Sequence, residues 1–413
     1  MSRRVRSGVT DVVVVGGGIV GAAAALGMAQ QGLSVKLVEP RRPPPWDATS
    51  APDLRVYAIS PASQSLFEHL GVWSAIQSRR AQAYRHMEVW DAVAGRPMRL
   101  SAQEDGREVL GHIVESRLIL DALWAALEGS DVRQRLGASA VALSVDSDSL
   151  LRRLQLSDGE TITTRLVVSA EGANSPLRRA QGIATQGRDY AQQGMVCFVE
   201  TESDHADTAW QRFLPTGPLA FLPFGERRCS IVWTLPTPEA TRVCRLPPAA
   251  FESELERAFD TRLGRIRLCS ERVGFPLRMQ LAERMVEGPL VLMGDAAHAV
   301  HPLAGQGVNL GLADVSEWLA CVAAARTQQL AVPGSRGLAR YARRRRSDSW
   351  WAAQTFDAIE RIYSAPQLFP SLLRGHAFSL VSASAWLRRQ VIGHASGQFP
   401  RVKNPSHGMT CTL

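Results

Sequence analysis

The hydrophobic pattern changes period twice within the first forty residues. Asp11–Val15 is a short β-branched run without alternation, as expected of a strand covered on both faces. Gly16, Gly17 and Gly18 then turn the chain. The alanine-rich stretch from Ile19 to about Gln31 predicts a helix, Gly32 ends it, and Leu33–Glu39 predicts a second strand. Together these form a βαβ unit. Arg41–Pro52 reads as a loop stiffened by Pro43-Pro44-Pro45. Ser60–Leu70 and Arg117–Glu128 read as helices, Leu136–Ser157 alternates like strands, and Leu166–Ala170 is another short apolar strand. From about residue 186 alternation dominates, in Cys197–Thr201, Leu219–Phe224 and Cys229–Leu235, which predicts an antiparallel sheet. Pro289–Met293 returns to a buried strand. Gly307–Ala325 reads as a helix, and residues from about 338 to 397 read as mostly helical. The chain shows no internal repeat and no low-complexity tract.

Composition narrows the choices. A chain of 413 residues, 45% hydrophobic and 21% charged, suits a soluble globular enzyme with a large core. The formal charge of +8 favours an anionic cofactor or an anionic membrane surface. Nucleic acid would suit it too, but no nucleic-acid motif accompanies it. Cys197, Cys229, Cys244, Cys269, Cys321 and Cys411 form no CxxC pair and no metal-ligand cluster, which fits a reducing compartment and no metal. Arg3, Arg4 and Arg6 precede Val12–Val15, but that run is too short for a signal core and passes straight into glycines. No segment approaches about 18 consecutive apolar residues, so no membrane-spanning helix is expected. The expected location is the cytoplasm, with peripheral contact to the inner membrane from that side left open.

Three segments carry chemistry. In Gly16-x-Gly18-x-x-Gly21, Gly16 permits a tight turn, Gly18 lets a pyrophosphate approach the helix N-terminus, and Gly21 allows close helix–strand packing. Glu39, ending the second strand, is placed to bind ribose hydroxyls. Far along the chain, Leu292-Met293-Gly294-Asp295-Ala296-Ala297-His298 delivers a second carboxylate from a strand. The run His301-Pro302-Leu303-Ala304-Gly305-Gln306-Gly307-Val308-Asn309-Leu310-Gly311 then opens a helix. Two carboxylates beside one Rossmann unit suit FAD, whose ribose and ribityl chain offer many hydroxyls. N–H groups at Gly307–Asn309 can face the flavin's pyrimidine edge. In the third segment, Ala170-Glu171-Gly172-Ala173-Asn174-Ser175-x-x-Arg178 follows a strand; it is either a further cofactor motif or a turn.

These residues resemble a known family. Gly294-Asp295 resembles the second FAD fingerprint of the class A flavoprotein monooxygenases. The run His301–Gly311, with Asp314 beyond it, resembles the signature of the ubiquinone-biosynthesis hydroxylases within that class. The resemblance implies the para-hydroxybenzoate hydroxylase fold with bound FAD. It implies hydroxylation of a polyprenylated phenol or quinol with NAD(P)H and O2, through a flavin hydroperoxide. By the same resemblance Asp295 binds ribose or ribityl hydroxyls, Val308 and Asn309 offer backbone N–H groups to a flavin carbonyl, Pro302 lies by the reactive face, and Gly305, Gln306 and Gly307 are cofactor-binding. Arg55 in Arg55-Val56-Tyr57-Ala58-Ile59-Ser60 falls near the flavin, the alternative being a solvated loop arginine. Arg117 in Glu115-Ser116-Arg117 begins a helix lining FAD, or is a surface residue. Ser116 stands where the family usually has asparagine, and Glu171 where it has aspartate. His301 is a positional candidate for assisting ring activation, and no catalytic base is assigned.

The resulting expectation is an α/β fold. Residues 1–80, 105–185 and 275–340 form a Rossmann-type FAD-binding domain. An inserted, mostly antiparallel β-sheet substrate domain takes residues 81–104 and 186–274. C-terminal helices span 341–397, and a tail spans 398–413. Trp90, Trp210 and Trp233 either line an aromatic pocket or, as is commoner, pack the core. Arg343-Arg344-Arg345-Arg346 precedes Trp350 and Trp351. Leu368, Phe369, Leu372, Leu373, Phe378, Leu380, Val381, Trp386 and Leu387 alternate with Arg374, Arg388 and Arg389. That tail suits either an interfacial helix meeting anionic lipid or ordinary helices packed on the FAD domain. Other ubiquinone-biosynthesis proteins are candidate partners. Two rival activities share the FAD motifs: a flavin reductase or dehydrogenase, and a non-catalytic flavin-binding subunit of an assembly. A flavin halogenase needs a WxWxIP-like segment, which the chain lacks.

Overall fold

A computed structural model describes residues 9–92, 97–145, 151–299 and 307–364. Its centre is a parallel sheet. Leu290–Leu292, Thr161–Ser169, Thr10–Val15, Val35–Glu39 and Arg133–Leu136 lie side by side in that order. An antiparallel hairpin, Ala140–Val145 with Arg152–Leu156, extends from Thr161–Ser169. Val12, Val13 and Val14 are wholly buried, as β-branched residues covered on both faces should be. The helix Ile19–Gln30 has no polar stripe because it has no free face; Ala22, Ala23, Ala24 and Ala25 are wholly buried. A side chain at Gly27 would come within 2.6 Å of Leu319 on the helix Gly307–Thr327, so the absence of a Cβ sets how closely the two helices pack. That second helix is long and apolar enough, by length and composition, to cross a membrane, yet Leu312, Val315, Trp318 and Val322 are buried in the core.

A nine-stranded sheet forms a second layer. Its spine is Val273–Ala282, Thr185–Thr201, Arg228–Pro236, Gly217–Pro223 and Thr208–Leu214, all antiparallel neighbours. His86–Asp91 joins this sheet parallel to Thr208–Leu214, followed by Met98–Ser101. A three-stranded sheet of Val56–Ile59, Gly111–Glu115 and Ala81–Tyr84 completes the β structure. Four described helices escape the sequence pattern: Trp73–Arg80, Pro176–Ala180, Thr237–Arg245 and Pro248–Ala258. The last two begin at proline-containing first turns and cover one face of the large sheet, burying Val243, Phe251 and Leu255.

The segment Gly294–Ala297 is a corner between the two sheets. The chain leaves the parallel sheet after Leu292 and enters the nine-stranded sheet at His298–Ala299, which pairs with Gln280 and Leu281. A helix Ser335–Ser364 follows. Leu368 to Arg389 lie outside the described residues.

Candidate functional site

The first glycine loop is built by its own neighbours. Gly16 has a φ of +101°, and a Cβ there would lie 2.4 Å from the Ala170 carbonyl oxygen. A Cβ on Gly21 would lie 1.9 Å from the Gly16 carbonyl oxygen, so the helix sits directly on the turn. Gly17 donates its N–H to Glu39 Oε2 at 2.6 Å, and its carbonyl accepts from Trp124 Nε1 at 2.9 Å. Gly18 differs from the other three, since a Cβ there would meet nothing within 4 Å. Its space faces outward at the N-terminus of Ile19–Gln30, where unpaired N–H groups favour an anion.

The second loop meets the first. Gly294 has a φ of +58°, and a Cβ there would touch Val20 of the first helix at 3.1 Å. A Cβ on Gly311 would lie 2.6 Å from Val20 Cγ2 and 3.2 Å from Gly294 Cα. Segments about two thirds of the chain apart thus converge on one point. Five groups of the corner and its flanks are held by distant residues. Tyr341 donates to the Leu292 carbonyl at 2.9 Å, Asp314 Oδ2 accepts from the Gly294 N–H at 2.8 Å, and Arg178 Nη1 donates to the Ala296 carbonyl at 2.9 Å. Met293 N–H donates to the Ser169 carbonyl at 3.0 Å, and Ala282 N–H to the Ala297 carbonyl at 2.7 Å. The Asp295 side chain is instead open to solvent although protein surrounds it at longer range, as in a concave site. That crowding pushes its carboxyl above the ordinary value, His298 and Arg55 pull it back, and Asp314 adds to the rise.

The strand Val56–Ile59 is tied to the motif helix by Asn309. Asn309 Nδ2 donates to the Ala58 carbonyl at 2.7 Å, and its Oδ1 accepts from the Ser60 N–H at 3.1 Å. Gly307, Val308 and Asn309 open the described part of that helix. Arg55 is exposed and acts by charge on both Asp295 and Tyr57. The Tyr57 hydroxyl is pushed up by burial, while Arg55 and a hydrogen bond with Ser116 oppose the rise. Ser116 N–H donates to the Arg55 carbonyl at 2.9 Å. Arg117 is solvated at the same end, 3.8 Å from Asp53 Oδ2. Buried Glu115 holds the intervening loop, accepting from Trp46 Nε1 at 3.2 Å, the Asp53 N–H at 2.8 Å and Arg80 at 3.3 Å. The structure thus groups Gly16, Gly18, Gly21 and Glu39 on one side, and Arg55, Arg117, Asp295, Gly307, Val308 and Asn309 around the corner. His301, Pro302, Gly305 and Gln306 lie outside the described residues.

The third segment turns inward. Glu171 accepts from Ser169 at 2.8 Å, Ser175 at 2.6 Å and the Leu177 N–H at 3.3 Å, and burial pushes its carboxyl up against those bonds. Gly172 makes the turn at a φ of +82°. Arg178, buried, also donates to the Ala173 carbonyl at 2.7 Å, so the segment braces the corner. The tryptophans pack rather than line a pocket. Trp90 and Trp233 are buried, and Trp90 meets Phe259 edge-on at 5.3 Å and Trp210 at 6.3 Å, on the sheet face covered by the helices of residues 237–258.

One group was missed by sequence reasoning. Asp314 is fully buried, with His298 Nε2 at 2.7 Å from Oδ2 and Arg345 Nε donating to Oδ1 at 2.6 Å. Burial alone would push Asp314 up, but the charges and hydrogen bonds of His298 and Arg345 hold it below the ordinary value. Arg343–Arg346 therefore do not form one basic face: Arg345 is 3% exposed, and Arg344 is engaged with Glu317 at 2.8 Å. The available signal was helical spacing: Tyr341, Arg345 and Ser349 fall four apart on one buried face.

The arrangement fits FAD. Gly18 leaves the approach an anionic pyrophosphate needs, Asp295 offers an open carboxylate for hydroxyls, and the N-terminus of Ile19–Gln30 supplies unpaired N–H groups. Among the described residues no group of three His, Cys, Asp or Glu could hold a metal ion. Residues 9–355 match the model of a family described as FAD binding domain. The chain is 37% identical over 389 residues to the 3-demethoxyubiquinol 3-hydroxylase of Escherichia coli (strain K12), covering 94% of this chain and 98% of that one. It is 35% identical to the ubiquinone hydroxylase UbiL of Rhodospirillum rubrum, covering 94% and 90%. The p-nitrophenol 4-monooxygenase PnpA from Pseudomonas putida DLL-E4 superposes with a TM-score of 0.74 at 17% identity, over 96% of this chain and 100% of that one; this likeness shows the fold.

Proposed function

Since the chain belongs to the FAD-dependent class A flavoprotein monooxygenases, within the group of ubiquinone-biosynthesis hydroxylases, we propose that its substrate is a polyprenylated phenol or quinol hydroxylated on the ring. The enzyme is an FAD-dependent monooxygenase using NAD(P)H and O2. When bound, FAD supplies the reduction and oxygen activation that side chains cannot. The chain's own work is placement. Gly18 and the first helix receive the pyrophosphate, and Glu39 and Asp295 accept from hydroxyls. The backbone of Gly307–Asn309 and the guanidinium of Arg55 set positive potential beside the flavin ring.

One observation carries the reading: Val20, Gly294 and Gly311 touch, bringing both nucleotide segments to one open carboxylate and one open glycine. The substrate class is supported by the named relatives. Turnover with labelled oxygen gas tests the activity. The product should carry one atom from O2, and a hydroxyl derived from water rejects it. Quinone profiling of a deletion strain by mass spectrometry tests the substrate, because the accumulating intermediate names the missing hydroxyl.

A prenylated ring partitions into the bilayer, so we also propose that the enzyme meets it at the cytoplasmic face of a membrane. Exposed Arg343, Arg346 and Trp350 on one helix support this. Vesicle sedimentation with anionic and neutral lipid tests it. Equal binding to both lipids, or none at low salt, points to delivery by a partner protein.

A further inference from the structure

The helix Ser335–Ser364 grips the corner twice. Tyr341, wholly buried and edge-on to Trp318 at 5.5 Å, donates its hydroxyl to the Leu292 carbonyl at 2.9 Å. One turn later, Arg345 donates to Asp314 at 2.6 Å, to the Leu310 carbonyl at 3.2 Å and to Asp348 at 2.7 Å. Asp314 in turn accepts from the Gly294 N–H at 2.8 Å. The two grips bracket Met293, one on the residue before it and one on the residue after. Asp295 is the next residue and the one side chain of the corner left facing outward.

A buried ion pair is an expensive way to hold a fold, because desolvation of both charges offsets their attraction, and apolar residues often serve as well. Here the pair is 3% and 0% exposed, and besides His298 and Asp348 it bonds backbone on either side of the flavin approach: Gly294 N–H and Leu310 O. Such a geometry fixes directions rather than merely filling space.

We propose that this helix is a positioning device for the flavin: Tyr341 and Arg345, through Leu292 and Asp314, fix Gly294 and thereby aim the Asp295 carboxylate. Both side chains are buried, away from the open face that carries Asp295. The proposal rests on Asp295 being a flavin ligand, and its test separates the two claims.

Apo-protein is titrated with FAD by flavin fluorescence, and thermal unfolding is followed with and without FAD. Four variants are compared with wild type: Tyr341→Phe, Arg345→Lys, the charge-free pair Arg345→Met with Asp314→Asn, and Asp295→Asn as the ligand control. The double variant is expected to keep the unfolding temperature of the apo-protein while weakening FAD roughly tenfold or more and shrinking the FAD-induced rise in Tm. Tyr341→Phe should weaken FAD less, and Arg345→Lys should fall between the double variant and wild type. Residues serving only the fold would shift apo and holo unfolding together and leave the rise intact. If Asp295→Asn loosens FAD while the double variant and Tyr341→Phe bind it as wild type does, the positioning claim is overturned and the flavin site stands. If the double variant does not fold, Tyr341→Phe alone decides. If Asp295→Asn binds FAD normally, the site assignment and the positioning claim both fall.

Discussion

The two cofactor loops solve the same problem in opposite ways. The loop at Gly16–Gly21 is held mainly within its own βαβ unit, where the Gly21 position rests on the Gly16 carbonyl and Glu39 of the adjoining strand takes the Gly17 N–H, with Trp124 and Ala170 closing it from farther along the chain. The corner at Gly294–Ala297 has almost no local support. Its grips come from Ser169, Arg178, Ala282, Asp314 and Tyr341. A local loop can be replaced only at the cost of its own fold, whereas a remotely held one can be loosened from many places without unfolding it.

The strongest challenge to this contrast is Gly21→Ala. With a Cβ 1.9 Å from backbone, the helix must lift off the turn. A loss of more than about 3 kcal/mol of apo stability is expected by chemical denaturation, and unchanged stability would mean that the loop is not built this tightly. Next comes Asp295→Asn. Losing a charged acceptor is worth about 1.5–3 kcal/mol per bond, so FAD binding should weaken at least roughly tenfold. The acid dependence has a definite sign. The folded pKa of Asp295 is raised by the protein crowding its concave site, so its contribution to apo stability, small for a solvent-open group, is full below the ordinary aspartate value and lost as pH rises through the raised one. Asp295→Asn should therefore stabilise the apo-protein at neutral pH while weakening FAD. In wild type, FAD affinity should fall on acidification sooner than for an ordinary carboxylate; a pH titration of both proteins checks this.

Gly18→Ala sharpens the contrast inside the first loop. Nothing in the protein opposes the added methyl, so apo stability should stay within about 0.5 kcal/mol while FAD titration reports weaker binding. Equal affinity would mean that the pyrophosphate does not pass there. The smallest effect is expected from replacing Arg343 and Arg346 by serine. Both are exposed, so stability should hold within about 0.5 kcal/mol, and only binding to anionic vesicles should drop. Neutralising all four arginines would instead strand Asp314 without its partner, costing about 3–5 kcal/mol, and would mask any effect on lipid.

What was legible in the sequence follows the same divide. Strand, glycine turn, helix and Glu39 are contiguous, and each local choice agrees with the next, so the first loop could be read directly. The antiparallel character of residues 186–236 was also legible, from alternation. The helices Thr237–Arg245 and Pro248–Ala258 were not, because prolines at their starts look like loop signals until the following turn is counted. Arg345 was hidden by its neighbours: three other arginines made the run look like one basic face, and only the four-residue spacing from Tyr341 points it inward. The bracing role of Arg178 depends on Ala296, over a hundred residues away, and no local pattern encodes it.

The order of strands in the parallel sheet also sets a timetable. Thr10–Val15 and Val35–Glu39 leave the ribosome early, but Leu290–Leu292, which completes the sheet on the Asp295 side, comes much later. Its partner Thr161–Ser169 is made about 120 residues before it, an interval on the order of 6–24 s at about 5–20 residues per second. For that interval the nascent chain carries Thr161–Ser169 with one flank bare and half a cofactor site. Loading with FAD is thus an event after synthesis of the corner, and limited flavin during rapid expression should leave apo-protein that accepts the cofactor later, whereas chains arrested before residue 290 should be clients of chaperones.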